Sequence, residues 1–326
     1  MKDRKIEMSI VITVFMLIFS IIGGTVSYAS KIDSNKLEIS ALGFYADEVA
    51  IESAVCGDGF QEELNKLGVE TDEVYKVENE LISKEVLKEL QSYLDMNVIS
   101  VDTEDERKNY VGEEDVMLNL TTAKEVIYSK TTAENDAKYI DKYTVENAKS
   151  IYRDKIESII RILGLDGYTV DDFVSYVSEY ETYTDADGVE HKEICGIALE
   201  CQLAVDTNLE CEGVIPFVRL DIDANGEINN LFYLDKSVEK IDSGYELKNM
   251  EEIISDIEND NNVLTENVTG TGEEVVLEDV EMKMYSEGAG TAQKYMIPYY
   301  YITGNENGNE VEIIMPAIKN EYLKVN

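Results

Sequence analysis

Apolar residues return at helical spacing in three segments of the chain. Between Thr144 and Gly164 they recur every three or four positions, with Thr144 placed to cap the first turn and Gly164 placed as a left-handed stop. A second segment begins at the cap residue Asn249, and a shorter one begins at Ser83. The spacing predicts three amphipathic helices, each with an apolar face to bury.

Segments with β-strand character follow each of the two longer helices. They are rich in β-branched and aromatic residues and are separated by Asp, Asn and Gly turn sequences such as the one at 185–188. The strands predicted after the first helix lie within 173–184, 188–205, 214–222 and 227–234. Those predicted after the second helix are 274–285, 294–303 and 310–318.

This order of elements predicts an α+β fold with two modules, each a helix packed on an antiparallel β-meander, after an N-terminal signal or anchor helix. Within the acidic region before the first module, residues 104–115 are predicted to be a solvated loop. The predicted domains are a signal peptide or membrane anchor at 1–29, an acidic and partly helical region at 30–140, a first α+β module at 141–236 and a second at 237–326.

The first thirty residues have the pattern of an export signal. Three basic residues within the first five positions precede an uncharged run over residues 8–29, and small residues flank Tyr28 at the end of that run. This pattern predicts a signal peptide cleaved after Ala29. The run is also long enough for an uncleaved membrane anchor. In both interpretations the rest of the chain is extracytoplasmic, either secreted or membrane-associated through residues 8–29.

The net charge of the chain limits the kinds of partner that it can bind. The 326 residues contain 28 Lys+Arg and 68 Asp+Glu, which gives a formal net charge of −40. Such a polyanion repels nucleic acids and anionic lipids, so we expect no nucleic-acid partner and no membrane contact other than through the N-terminal segment. The charged partners that remain are cations and basic protein surfaces.

One short motif has two interpretations. Asp221, Asp223 and Asn225, followed by Gly226, match the first half of a calcium-binding loop. The twelfth position of such a loop requires a bidentate carboxylate, and here it is Phe232. The flanking residues alternate as strands, which favours a β-hairpin with its turn at 223–226. Calcium binding stays the alternative.

The spacing of the cysteines and of the single histidine does not match a known catalytic or metal-binding motif. Cys195 and Cys201 share the apolar face of one predicted strand, and Cys201 and Cys211 flank a turn-like sequence, so either a disulfide between these two or buried free thiols is consistent with the spacing. His191 follows a turn in a polar stretch without a nucleophile motif beside it, which favours a solvated side chain.

The aromatic run at 298–302, "PYYYI", also has a structural interpretation. Tyrosines cover both faces of a half-buried sheet, and Pro298 suits the start of a strand, although such a run could line a groove. No pair of catalytic carboxylates can be selected among the acidic residues. We therefore assign no catalytic, cofactor-binding or metal-binding residue and no cofactor.

The element order after Thr144 resembles that of the YycI/YycH-type and PepSY-like extracytoplasmic regulatory proteins of Gram-positive bacteria. The stretches that carry this resemblance are residues 213–234, 243–260 and 295–318. It implies an N-terminal membrane segment and an outer domain that binds and restrains a membrane sensor kinase without catalysis.

These observations predict a non-enzymatic extracytoplasmic binding or regulatory protein that modulates a membrane sensor or a cell-envelope process. The alternatives are an exported hydrolase that uses a carboxylate pair, and a calcium-responsive surface module.

Overall fold

The structure is a computed structural model, in which the predicted signal or anchor segment lies outside the described residues. No helix in the described part of the chain is long and apolar enough to cross a membrane. Residues Leu37–Asn326 form one compact unit. The structure describes residues 36–42, 50–67, 73–104, 107–113, 116–131, 139–185, 188–242, 245–269, 273–288 and 291–325.

Strands outnumber helices, so the fold is α+β and mostly β. The helices are α1 (Phe60–Leu67), α2 (Lys84–Tyr93), α3 (Lys142–Glu146), α4 (Ala148–Ile151), α5 (Arg153–Leu163) and α6 (Met250–Glu258). The strands are β1 (Leu37–Ile39), β2 (Ala54–Cys56), β3 (Val74–Val77), β4 (Val98–Glu104), β5 (Arg107–Gly112), β6 (Val116–Thr121), β7 (Glu125–Lys130), β8 (Val174–Thr184), β9 (Glu190–Gln202), β10 (Cys211–Gly213), β11 (Phe217–Asp223), β12 (Ile228–Leu234), β13 (Val238–Asp242), β14 (Leu264–Glu266), β15 (Val275–Ser286), β16 (Tyr295–Met296), β17 (Pro298–Glu306), β18 (Asn309–Pro316) and β19 (Leu323–Val325).

An eight-stranded antiparallel sheet dominates the first half of the fold, in the order β4-β5-β6-β7-β12-β11-β9-β8. Its side chains alternate between two faces, as in any β-sheet. On one face a row of apolar residues from neighbouring strands, including Leu199, Leu220 and Leu231, packs against Ile156 and Ile159 of α5. The three helices α3 to α5 therefore cover one face of this sheet.

Four strands of this sheet come from the acidic region at 30–140, in which the sequence predicted no strand. β4 to β7 lie between residues 98 and 130. Each pairs with the next, and β7 pairs with β12. The predicted solvated loop at 104–115 is wrong, because Arg107–Gly112 forms β5. Its side chains are half-buried. The polar ones therefore stay partly hydrated, which allows them to occupy a strand. The predicted boundary at residues 140 and 141 therefore does not separate two sheets.

The predicted helix from Thr144 to Gly164 is broken into α3, α4 and α5. The cap of the first turn is Asp141, whose carboxylate accepts the backbone N–H of Thr144 at 2.9 Å. The first break lies at Asn147, whose side-chain amide donates to the Tyr143 carbonyl in competition with the helical backbone. The predicted stop at Gly164 is confirmed, with φ 67° and ψ 37°.

The other two predicted helix starts are confirmed. Ser83 caps α2 by accepting from the backbone N–H of Val86. Asn249 caps α6 and accepts from the N–H of Glu252, whose carboxylate in turn accepts from the N–H of Asn249. Both caps satisfy backbone donors that have no partner inside the helix.

The second half contains a six-stranded sheet built around β15. β17, β18 and β14 continue antiparallel on one side of it, and β2 and β10 pair with its two ends in parallel on the other side. The sequence predicts β15, β17 and β18 but not β14, β10 or β2, which are short strands of three residues each. The run "PYYYI" lies in β17, which Pro298 begins as predicted.

Two smaller sheets complete the fold, β13-β3-β16 and the parallel pair β1-β19. The hairpin that would have joined Cys201 to Cys211 is not formed, because β9 belongs to the eight-stranded sheet and β10 pairs with β15. All four cysteines are free thiols. Cys201 packs in the main core, as the alternation of its strand predicts.

Candidate functional site

The face of the eight-stranded sheet opposite the helices carries the main candidate site. We call it the open face and define it by two rows of side chains that cross all eight strands. Several of its members are large apolar residues with substantial exposure, among them Val174 at 59%, Met117 at 41% and Tyr176 at 37%. The two rows are Asp102, Asn109, Asn119, Ile127, Phe232, Arg219, Glu200 and Val174, and Ser100, Val111, Met117, Ser129, Asn230, Asp221, Ala198 and Tyr176.

Arg219 lies on the open face on β11, the third strand from the β8 edge of the sheet. Its Nε donates to Asp221 Oδ1 at 2.8 Å and its Nη2 donates to Asp221 Oδ2 at 3.3 Å, so the guanidinium is held by two hydrogen bonds. The rings of Tyr176 and Phe232 lie 5.5 and 5.7 Å from its Cζ, within the range of cation–π attraction. The four side chains come from three different strands.

Electrostatics keep this cluster in one protonation state near neutral pH. Burial raises the pKa of Asp221, while the hydrogen bonds from Arg219 oppose that shift. Burial works against the charged form of Arg219, yet its pair with Asp221 leaves the pKa of Arg219 raised. Burial and the hydrogen bond to Glu200 raise the pKa of Tyr176 to about 12. Arg219 therefore stays charged and Tyr176 keeps its proton, so the cluster suits recognition better than proton abstraction.

The motif that suggested a calcium loop contributes to two different structures. Asp221 faces Arg219, as described above. Asp223 accepts the backbone N–H groups of Asn225 and Glu227 at 2.9 and 2.8 Å, and Gly226 has φ +80°. The predicted hairpin between β11 and β12 is therefore confirmed. The carboxylates of Asp221 and Asp223, two of the groups that a calcium loop would offer, already accept hydrogen bonds from the chain.

His191 lies near the tip of the β8–β9 hairpin, with 39% of its side chain exposed. Its Nε2 is 2.8 Å from Asp185 Oδ2, and its ring stacks on Tyr183 with centroids 5.1 Å apart. Tyr183 in turn stacks on Tyr139. The histidine is partly solvated, as predicted, but the aromatic stack and the carboxylate also fix its orientation.

A second polar site lies at the start of α6, where a cleft of about 570 Å³ is lined by Lys248, Asp256 and Asn320 among others. Lys248 Nζ is 2.9 Å from Asp256 Oδ2, off hydrogen-bond geometry, and both side chains are almost completely buried. Asn320 donates to both oxygens of Asp256. Burial lowers the pKa of Lys248. Lys248 and Asp256 are close in sequence, before and within α6, but no motif links them, and Asn320 lies 64 residues after Asp256.

The cluster around Arg219 was also not predicted from the sequence. Arg219 stands between Val218 and Leu220, so the alternation of the strand does place it on the face opposite the core. Its aromatic neighbours Tyr176 and Phe232 lie on β8 and β12, and only the pairing of those strands with β9 and β11 brings them together. The signal available was a basic residue between apolar residues of a strand, two positions before an acidic one.

No protein-family model matches the sequence, and no curated protein matches it. Among solved structures, it is similar to the crystal structure of an uncharacterized protein from Eubacterium rectale. The sequence identity is 9%, the match covers 78% of this chain and 86% of that chain, and the TM-score is 0.34. A likeness this distant has no bearing on function.

Replacing Arg219 with methionine tests the electrostatics of the cluster. We expect a loss of about 2 kcal/mol in unfolding free energy at neutral pH, because the buried Asp221 carboxylate loses its charged partner. The pKa of Asp221 then rises further above its unfolded value. The loss should therefore be small at acidic pH and grow as pH rises through the range of that carboxyl group.

Denaturant unfolding of both proteins between about pH 4 and pH 8 measures this dependence. Glu200→Gln is the control, because it keeps a hydrogen-bond acceptor for Tyr176 and should change stability by less than about 1 kcal/mol. An Arg219→Met loss that is the same at every pH would show that Asp221 does not depend on the guanidinium.

Proposed function

We propose that this chain is a non-enzymatic extracytoplasmic binding protein that presents the open face to a basic protein partner. The observation that carries the proposal is a set of exposed or half-buried apolar and aromatic residues on five of the eight strands of the open face, namely Val111, Met117, Ile127, Phe232, Val174 and Tyr176. Exposed apolar surface of this kind is typical of protein interaction sites. Eight strands spaced by roughly 4.8 Å give a surface about 34 Å wide, sufficient for a protein interface of standard size.

The charge of the chain supports a basic partner. Asp102 and Glu200 lie at opposite ends of one open-face row, and the charge of Arg219 is matched by Asp221. With a formal net charge of −40, the whole protein attracts basic surfaces and accelerates their approach. Tyr176 and Phe232 add the aromatic contact area that interface centres favour.

The location and the kind of partner rest on the sequence. The N-terminal pattern at residues 1–29 supports export, and the resemblance to YycI/YycH-type and PepSY-like proteins supports a membrane sensor kinase as the partner. The predicted pair of modules fits this proposal. In it, the module at 141–236 contains α3 to α5 with β8, β9, β11 and β12, and the module at 237–326 contains α6 with β15, β17 and β18.

Site-specific photo-crosslinking in the producing cell tests the proposal. A photoreactive residue is placed at Met117 or at Val174, which lie on different strands of the open face. We expect both positions to capture the same protein, and that protein to carry a basic extracytoplasmic surface. Ile241 on β13 is the matched control, because it is similarly exposed at 40% but belongs to another sheet.

The captured protein is then purified and its affinity for this chain is measured at two salt concentrations. We expect Glu200→Lys to weaken binding at least tenfold at low salt, and added salt to weaken binding to the wild-type chain. Capture of unrelated proteins at the two open-face positions, or equal capture at Ile241, would contradict the proposal.

A further inference from the structure

Lys236 is a buried amine in an unusual environment. It follows β12 directly and is only 4% exposed. Its Nζ donates to the backbone carbonyl of Glu287 at 2.6 Å and to Gln293 Oε1 at 3.1 Å. No carboxylate among the described residues lies within ion-pair distance of it, in contrast to Lys248 with Asp256. A buried ammonium without an adjacent anion is costly, which favours the neutral amine.

Gln293 is fixed beside this amine. It is also 4% exposed. Its Oε1 accepts a second hydrogen bond from the backbone N–H of Glu287 at 3.1 Å, and its Nε2 donates to the carbonyls of Tyr285 and Tyr295 at 2.8 and 3.1 Å. This pattern assigns the two ends of the carboxamide, because a flipped amide would face a donor with a donor. The Glu287 N–H also polarises the carbonyl and would stabilise negative charge on Oε1.

Two buried carboxyl groups interact with the Lys236 amine. Glu125 on β7 is 5% exposed and Glu287 after β15 is 8% exposed, and both interact electrostatically with Lys236. Burial raises the pKa of Glu125. Burial likewise lowers the pKa of Lys236 to about 8. The environment therefore shifts the acid and the amine toward their neutral forms, the combination needed for proton transfer during nucleophilic attack.

We propose that Lys236 and Gln293 form an intramolecular isopeptide bond. The free amine Nζ adds to Cδ of Gln293, and the negative charge that gathers on Oε1 is stabilised by the backbone N–H of Glu287. The Cδ–Nε2 bond then breaks, and Nε2 leaves as ammonia with the proton that the amine gives up. Glu125 carries this proton from Nζ to Nε2. No oxidant, reductant or further reactant is needed, and the chain becomes lighter by one ammonia.

The bond would join two sheets covalently. Lys236 follows the eight-stranded sheet at β12, whereas Gln293 lies between β15 of the six-stranded sheet and β16 of the three-stranded one. Such a cross-link closes a long loop and restricts the unfolded chain in the same way as a disulfide. It would be stable under reducing conditions, unlike a bridge between two of the free cysteines.

Peptide mass mapping of the purified full-length chain tests this proposal. We expect a branched peptide that contains both Lys236 and Gln293 and is lighter by one ammonia than the sum of its two parts. The linked fraction should increase faster at pH 9 than at pH 7, because the amine is neutral above its pKa of about 8. Glu125→Gln should slow the increase at both pH values.

Two lysine variants provide the controls. Lys236→Met should abolish the linked peptide, whereas Lys124→Met should retain it, since Lys124 lies close by but is paired with Glu78 and Asp235. If the wild-type chain yields only separate peptides with an intact Gln293 carboxamide after incubation at pH 9, the proposal is wrong. The result does not depend on any partner of the open face.

Discussion

Replacing Asp256 with alanine is expected to lower the free energy of unfolding by about 3–5 kcal/mol, a large fraction of the total stability of a typical domain. The side chain of Lys248 is 1% exposed and that of Asp256 is 6% exposed, so the substitution leaves a buried amine without its counter-charge. Asn320 and Asn261 lose their hydrogen-bond acceptor at the same time. Equilibrium unfolding in urea measures the change as a shift of the midpoint.

Two further variants separate the buried charge from other causes. Glu157→Ala breaks the exposed pair with Arg153, in which both side chains are more than half exposed, and should cost less than about 1 kcal/mol. The double change Lys248→Met and Asp256→Leu removes both charges and should recover most of the stability. An Asp256→Ala cost no larger than that of Glu157→Ala would mean that water reaches this pair.

Replacing Leu220 with alanine should cost about 2–5 kcal/mol in unfolding free energy. Leu220 is 0% exposed and pairs across the sheet with Leu199 on β9 and Leu231 on β12, so the substitution opens a cavity beneath α5. The effect is large because a rigid sheet cannot collapse into the space. Thermal and urea unfolding of the variant both measure it.

The matched control for this prediction lies on the other face of the same sheet. Met117→Ala removes a side chain of similar size that is 41% exposed on the open face, and should cost less than about 1 kcal/mol. The comparison also tests which face is covered. Similar losses for Leu220→Ala and Met117→Ala would show that the open face is buried in the native protein.

Local patterns in the sequence predicted the elements whose causes are local. The caps at Ser83 and Asn249, the stop at Gly164 and the hairpin turn at Gly226 depend on residues within a few positions of one another, and each is present in the structure. The break at Asn147 was missed for a related reason. Its side chain can support or interrupt a helix, and spacing alone does not distinguish these roles.

Pairing between distant segments could not be predicted in the same way. β5 is a strand because β4 and β6 lie beside it, although its own residues are largely polar. The pair of Lys236 and Gln293 likewise joins residues 57 positions apart that share no motif. The Arg219 cluster could be predicted only in part. Alternation along β11 places Arg219 on the face opposite the core, but it does not identify the aromatic neighbours of Arg219.

The parallel pairing of β1 with β19 constrains how the chain can be made. Leu37 lies beside Leu323, so the first described strand finds its place only after nearly every other residue has been synthesised. Contacts of such long sequence separation slow folding, because a large loop must close first. The two-stranded sheet is therefore completed only at the end of synthesis, whereas sheets built from closer segments can pair earlier.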